Sequence, residues 1–229
     1  MTKKILLFTA LAAVTGMLKA QDKKKDWADF PKYEAANEIV KQLPADQRKV
    51  VFMGNSITEG WYHNDSAFFK NNGFIGRGIS GQVSSQMLVR FRRDVLELQP
   101  KAVVILAGTN DIAENMGPIS LANICGNIIS MAELAKFHGI KVVICSVLPS
   151  SEYAWSPGKQ PAVKIPQLNK MLQEYCQKNK VVYADYFSKM ANAQNGLDKE
   201  LSGDGVHPTV AGYKIMEDVI LPVIKSVLP

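Results

Sequence analysis

The chain has 229 residues, of which 47% are hydrophobic and 21% are charged, and its formal net charge is +6. These values are ordinary for a globular protein with one well-buried core, so we expect a single folded domain. The lysines are scattered except at residues 23–25, which Asp22 and Asp26 flank, so the sequence carries no basic stripe of the kind that binds nucleic acid.

Residues 1–20 have the layout of a secretory signal peptide. Two lysines near the start precede an uncharged, mostly apolar run over residues 5–18, and Ala20 stands just before Gln21. An uncleaved anchor is the alternative, although the run is too short for a comfortable membrane span. Removing the three lysines of this segment from the total of +6 leaves +3. We therefore expect an exported protein, periplasmic or extracellular, without stable membrane insertion.

Residues 21–48 are predicted to form an N-terminal arm, because apolar residues recur at helical spacing from Tyr33 to Leu43 before Pro44. The main domain is expected over residues 49–229. Its first strand, Val50 to Met53, stops at Gly54, and Ser56 follows. Ser56 is thus a candidate nucleophile at a strand end, and the alternative is that it merely caps the next helix.

Further strands alternate with amphipathic helices along the rest of the domain. Segment 73–79 leads into Gly81, and a continuous apolar run over 102–107 leads into Asn110. The remaining strands are expected at 142–147 and 181–184, with helices over 87–98, 121–135 and 165–176 and a last helix from about residue 209, which Pro222 bends or ends. This alternation predicts an α/β fold with one parallel sheet and helices on both faces.

Four polar positions converge in such a fold. Ser56, Gly81 and Asn110 each follow a strand, and His207 follows the last strand by a loop. Because the carboxyl ends of parallel strands share one edge of the sheet, we expect these residues to meet in one cleft.

Each converging residue supplies a different part of acyl transfer. Ser56 needs a base, and His207 is the best candidate because Asp204, three positions earlier, can accept a hydrogen bond from Nδ1. Asp204 could instead only stabilise its turn. The backbone N–H groups of Ser56 and Gly81 and the side-chain amide of Asn110 are candidate oxyanion donors. The other two histidines are interpreted as surface or helix-end residues.

Large aromatic residues are candidates for contact with a substrate. Tyr153 and Trp155 lie in an irregular loop over residues 150–161, where they either line a ligand site or plug the edge of the core. Trp61 is placed with them at the expected cleft. Cys125, Cys145 and Cys176 show no metal-ligand spacing and no close pairing, so we predict neither a metal site nor a disulfide framework.

Four blocks, Gly54-Asn55-Ser56-Ile57-Thr58, Arg77 to Gln82, Gly108 to Asp111 and Asp204 to Pro208, resemble the SGNH (GDSL-type) hydrolase family in content and order. Residues 77–82 and 108–112 are most similar to its platelet-activating-factor acetylhydrolase-like branch. The resemblance implies a three-layer α/β/α sandwich like flavodoxin's, with about five strands, and an esterase or acylhydrolase without cofactor or metal. It gives Ser56, His207 and Asp204 the catalytic roles, and Ser56, Gly81 and Asn110 the oxyanion hole.

The expected function is that of a secreted serine esterase that removes a short acyl group, acetyl above all, from a carbohydrate or other small ester. A lysophospholipase or thioesterase of the same family is one alternative. A catalytically retired glycan-binding protein is another, since Asn55 stands where the family usually has aspartate. The expected partner is a small ester or an acylated glycan rather than a nucleic acid.

Overall fold

The computed structural model describes residues 26–228. The expected signal peptide, residues 1–20, and the first residues of the arm lie outside this range. Within it, no helix is both long and apolar enough to cross a membrane.

A sheet of five parallel strands forms the centre of the molecule, as predicted. The strands are β1 (Val50–Gly54), β2 (Phe74–Gly78), β3 (Ala102–Leu106), β4 (Lys141–Cys145) and β5 (Val182–Ala184), in the order β2-β1-β3-β4-β5. Every residue of β1 and β3 is buried. Burial on both faces explains why these two strands are continuous apolar runs rather than alternating ones.

Helices cover both faces of this sheet. Across residues 26–228 the α-helices are α1 (Glu34–Gln42), α2 (Ser56–Asn64), α3 (Ser66–Asn72), α4 (Ser84–Asp94), α5 (Thr109–Ile112), α6 (Leu121–Phe137), α7 (Pro161–Asn179), α8 (Phe187–Met190) and α9 (Val210–Val227). Pro222 lies inside α9 rather than ending it. The arm contributes a 3₁₀ turn, Phe30–Tyr33, and then α1.

Two hydrophobic clusters lie on opposite sides of the sheet. Val51 and Met53 of β1 belong to the first, with residues of α4, α6 and α7, whereas Val50 and Phe52 belong to the second, with residues of α2 and α9. Alternate side chains of a strand point to opposite faces, so one strand supplies both clusters. The predicted three-layer α/β/α arrangement is confirmed.

The three cysteines are buried and free. Burial raises the pKa values of the Cys145 and Cys176 thiols to about 12. A thiol with so high a pKa is a poor nucleophile.

Candidate active site

Ser56 is the first residue of α2 and stands at the carboxyl edge of the sheet, directly after β1. A side chain on Gly54 would overlap the side chain of Thr58, so glycine permits the tight passage from strand to helix. The Asn55 side-chain oxygen accepts a hydrogen bond from the backbone N–H of Ile57, 3.0 Å away. Asn55 thus caps α2 through an oxygen, as an aspartate at this position could also do.

The imidazole of His207 reaches Ser56 from the loop before α9. The Ser56 Oγ atom and the His207 Nε2 atom are 2.8 Å apart, a normal hydrogen-bond distance. The structure therefore brings together a hydroxyl and a ring nitrogen from distant parts of the chain.

Asp204 orients that ring. Its Oδ2 atom lies 2.7 Å from His207 Nδ1, and its Oδ1 atom accepts backbone N–H groups of Val206 at 2.9 Å and His207 at 2.8 Å. Partial burial alone would raise the pKa of Asp204, but these hydrogen bonds to the ionised carboxylate outweigh it and lower the pKa to about 2. An ionised Asp204 holds the proton on Nδ1, which leaves Nε2 free to accept from the Ser56 hydroxyl.

The loop after β2 carries Gly81 to the same edge. The backbone N–H of Ile79 donates to the Gly54 carbonyl at 3.2 Å, and that of Ser80 donates to the Glu59 carboxylate of α2 at 2.8 Å. Gly81 has φ +78°, in the left-handed region that favours glycine. The loop is thereby fixed against the beginning of the helix that bears Ser56.

Asn110 comes to this loop from α5, after β3. Its amide Nδ2 donates to the Gln82 carbonyl at 3.0 Å, and an amide NH₂ has two N–H donors. Within residues 26–228, the second N–H of this amide and the backbone N–H groups of Ser56 and Gly81 have no protein acceptor. These three donors are the ones that sequence reasoning assigned to an oxyanion.

A buried arginine, which the sequence analysis did not identify, stabilises the carboxyl edge of the sheet. Arg90 is fully buried, pairs with Asp94 at 2.7 Å and donates to the side chain of Gln82 at 2.6 Å. It also donates to the carbonyls of Gly54 at 2.9 Å and Arg77 at 3.0 Å. The sequence did contain a signal for a buried ion pair, because Arg90 lies among the apolar positions of α4 and an acid follows it four residues later.

Asp111 gives a second buried contact in the same region. Its carboxylate accepts from the Ser84 backbone N–H at 2.9 Å and from the Ser84 hydroxyl at 2.5 Å. Burial raises the pKa of Asp111, and the bonds from Ser84 act against that rise. The pair joins the short helix that holds Asn110 to the start of α4.

Trp61 does not line the cleft, which corrects the expectation from the sequence. Its side chain is 1% exposed, stacks on Phe68 and Tyr213, and donates from Nε1 to Glu217 at 3.2 Å. Ile57 and Trp61 are four residues apart in α2 and therefore share the helix face that packs into the core.

The two loop aromatics have different surroundings. Tyr153 is fully buried beneath Trp155, with 5.0 Å between the ring centroids, so it plugs the core edge. Trp155 is 48% exposed and donates from Nε1 to Asn115 at 2.9 Å, and Asn115 donates to the Gly81 carbonyl at 3.3 Å. Trp155 is therefore tied to the Gly81 loop and offers an open indole surface beside it.

No group of three or more histidine, cysteine or carboxylate side chains in the described part of the chain could hold a metal ion. The chemistry of the edge is set by a hydroxyl, an imidazole, a carboxylate and several N–H donors.

Comparison with known proteins gives consistent matches. The model of the GDSL-like lipase/acylhydrolase family matches residues 52–215. A crystal structure of a GDSL-like lipase from Bacteroides thetaiotaomicron is 46% identical, with a TM-score of 0.85, over 89% of this chain and 100% of that chain. Esterase TesA from Pseudomonas aeruginosa is 25% identical over 181 residues, which are 77% of this chain and 83% of TesA.

A more distant structural likeness is to an acetyl xylan esterase from Geobacillus stearothermophilus. It is 19% identical, with a TM-score of 0.61, over 77% of this chain and 94% of that chain, and at this identity the likeness shows the fold. Among the curated relatives that the chain matches, the aligned stretch spans between 49% and 89% of their length.

Proposed function

Because the chain belongs to the GDSL-like lipase/acylhydrolase family, we propose that it is a serine esterase that removes a short acyl group, acetyl above all, from a carbohydrate or other small ester. Membership confirms the resemblance found in the four sequence blocks. The family and its esterase relatives make the protein a hydrolase that acts on ester bonds. The acyl group, the alcohol and the residue roles are our proposal.

The observation that carries the proposal is the chain of contacts from Ser56 through His207 to Asp204, with distances of 2.8 and 2.7 Å. As Ser56 Oγ attacks the ester carbonyl, its proton passes to His207 Nε2, and the ionised Asp204 stabilises the imidazolium that results. When the tetrahedral intermediate collapses, the C–O bond to the alcohol breaks and the imidazolium returns the proton to the alcohol oxygen. An acyl-enzyme on Ser56 remains.

Water completes the reaction by the same route. His207 accepts a proton from a water molecule, whose oxygen attacks the acyl carbonyl, and then returns the proton to Ser56 Oγ as the acid leaves. In both halves the carbonyl oxygen becomes negative, and the N–H groups of Ser56, Gly81 and Asn110 are the donors assigned to it. Loss of one such donor typically reduces turnover by about 10²- to 10³-fold.

One feature of the structure supports an acetylated carbohydrate as the substrate. The exposed indole of Trp155, held beside the Gly81 loop, offers the flat apolar surface on which a sugar ring can stack. Tyr153 supports this surface from below rather than meeting the substrate.

The alternative of a long-chain lipid substrate has less support. An apolar cavity of about 520 Å³ lies between α1 and the edge strand β2, with Ile39, Val40 and Phe74 in its wall. Ser56, Gly81 and His207 do not line it. The cavity therefore does not include the residues assigned to the reaction.

The alternative of a retired glycan-binding protein depended on Asn55. Since Asn55 caps α2 and the hydroxyl, imidazole and carboxylate are within hydrogen-bond distance of one another, the substitution does not disturb the arrangement that hydrolysis needs.

Hydrolysis of p-nitrophenyl acetate, butyrate and octanoate, followed by release of acetate from acetylated xylo-oligosaccharides, tests the proposal. We expect the highest kcat/KM for acetyl and measurable release from the oligosaccharides. A preference for octanoate would favour the lipid alternative, and no turnover of any ester would favour the binding protein.

We also infer export, from the leader-like residues 1–20. N-terminal sequencing of the protein recovered outside the cytoplasm should begin at Gln21. Recovery of the intact chain from the cytoplasm alone would contradict this inference.

A further inference from the structure

A second cavity, of about 280 Å³, shares Gly81 with the candidate oxyanion hole. The N-terminal arm forms one wall, and the loop after β2 forms the other. The residues that line the cavity include Asp26, Trp27, Ser80, Gly81, Gln86 and Met116. Two of its apolar side chains are open to solvent, since Trp27 is 46% exposed and Met116 is 53% exposed.

The arm is fixed in this position by side chains of the catalytic edge. Gln82 donates from Nε2 to the Ala28 carbonyl at 2.8 Å, and Gln86 donates to the carbonyl of Trp27. The oxygen of the same Gln82 side chain accepts from Arg90, while its backbone carbonyl accepts from Asn110. The arm next to Trp27 is therefore bonded to Gln82, whose carbonyl also holds the Asn110 amide.

This arm lies outside residues 52–215, the stretch that the family model matches. It therefore adds a wall to the catalytic edge beyond the matched family core. Of the three tryptophans in the chain, Trp61 is buried, whereas Trp27 and Trp155 are both exposed. Trp27 lines the same cavity as Gly81, and its carbonyl accepts from Gln86 of α4. Trp155 donates to Asn115, which donates to the Gly81 carbonyl. Two open indoles thus flank a single oxyanion donor.

The cavity suits an alcohol better than an acyl chain. An ester whose carbonyl oxygen points at the Gly81 N–H has its acyl group on one side and its alkoxy group on the other. The wall beside Gly81 combines an indole with the polar side chains of Asp26, Ser80 and Gln86. The Asp26 carboxylate accepts from two backbone N–H groups of its own turn, and the Ser80 hydroxyl donates to Glu59, so these oxygens have only their remaining lone pairs to offer to a ligand. Carboxylates, hydroxyls and amides bind hydroxyl groups, and an indole face packs against the C–H face of a ring.

We propose that the N-terminal arm forms a binding site for the alcohol part of the ester, a sugar ring, with Trp27 as its stacking surface. This inference rests on the proposed function for the reaction at Ser56. It makes Trp27 a determinant of which esters are hydrolysed, rather than a participant in the chemistry.

Kinetics with two acetate esters test the inference. The substrates are an acetylated xylo-oligosaccharide and ethyl acetate, whose alcohol is too small to reach the arm. In Trp27→Ala, the ratio of kcat/KM for the sugar ester to kcat/KM for ethyl acetate should fall about tenfold, and Trp27→Phe should restore most of it. Phe137→Ala is the matched control, because Phe137 is an aromatic residue with 87% exposure at the end of α6. This control should leave the ratio unchanged.

An unchanged ratio in Trp27→Ala would overturn the inference, whether both activities fall together or neither changes. The first of those outcomes would mean that the arm only supports the Gly81 loop. Failure of the proposed function looks different, because the wild type would then hydrolyse neither ester. A wild type that hydrolyses ethyl acetate and releases no acetate from the sugar ester would overturn the sugar site and leave the esterase in place.

Discussion

The hydroxyl oxygen of Ser56 lies 2.8 Å from Nε2 of His207, although 151 positions separate the two residues in sequence. Ser56 is delivered by the end of β1, and His207 by the loop that precedes α9. The contact exists because the sheet is parallel and α9 packs in the same hydrophobic cluster as α2. Substitutions can therefore test both the reacting groups and the contacts that hold them in place.

Replacing Asp204 with asparagine should remove most of the activity. In Asp204→Asn, the new side-chain amide can hold the His207 ring in the wrong tautomer, with the proton on Nε2. A change of this kind reduces kcat by about 10⁴-fold in a serine protease. Steady-state kinetics with p-nitrophenyl acetate give the value. A loss of less than about tenfold would mean that Asp204 only stabilises its turn.

The same carboxylate should make stability depend on pH. Its pKa is lowered from 3.8 to about 2 by folding, so its ionisation stabilises the native state above pH 3.8, and this contribution is lost as the pH falls from about 4 to about 2. The difference in free energy of unfolding between wild type and Asp204→Asn should shrink across that window. Urea unfolding at several pH values measures it, and a difference that grows on acidification would contradict the assignment.

Gly81→Ala should reduce kcat by more than its loss of stability can explain. Nothing lies within 4 Å of a Cβ atom at Gly81, so the cost comes from its φ of +78°, about 1–2 kcal/mol for a residue other than glycine. Gly139→Ala is the matched control, with φ +73°, equally open space and a position in the turn before β4. Both variants should lose similar stability by thermal unfolding.

If Gly81 supplies an oxyanion donor, kcat in Gly81→Ala should fall about 10²-fold or more, because the strained loop misdirects its N–H. The Gly139→Ala control should keep the activity of the wild type. Equal activities in the two variants would show that Gly81 is only a turn residue.

Arg90→Met should destabilise the whole domain. It leaves Asp94 buried without its partner, and breaking a buried ion pair from one side costs about 3–5 kcal/mol. Arg93→Met, three residues further along α4 at a partly exposed position, removes an ion pair with Glu34 whose side chains are 38% and 62% exposed, and should cost less than about 1 kcal/mol. Denaturant unfolding of both variants provides the comparison, and similar losses would argue against the bracing role of Arg90.

The sheet and the positions of Ser56, Gly81 and Asn110 after its strands could be predicted because they depend on local signals. Runs of β-branched residues end at glycine or a polar residue, and the strand ends of a parallel sheet share one edge. The residues at this edge are therefore the ones that directly follow each strand in the sequence.

The contacts behind the edge could not be predicted in the same way. The bonds from Arg90 to Gln82 and Gly54 join segments whose separation is fixed only by packing. Trp61 belongs to the core rather than the cleft because it lies one turn after Ile57 on the buried face of α2. The position of Trp27 could not be predicted, since nothing local places the arm beside Gly81.

Covalent labelling with a fluorophosphonate, followed by intact and peptide mass spectrometry, tests whether Ser56 is the activated nucleophile. We expect one label per chain, located on Ser56, no label in Ser56→Ala, and labelling of His207→Ala that is slower by orders of magnitude. Rapid labelling of Ser56→Ala, or a wild-type label on another residue, would contradict the claim that His207 activates Ser56 as the nucleophile.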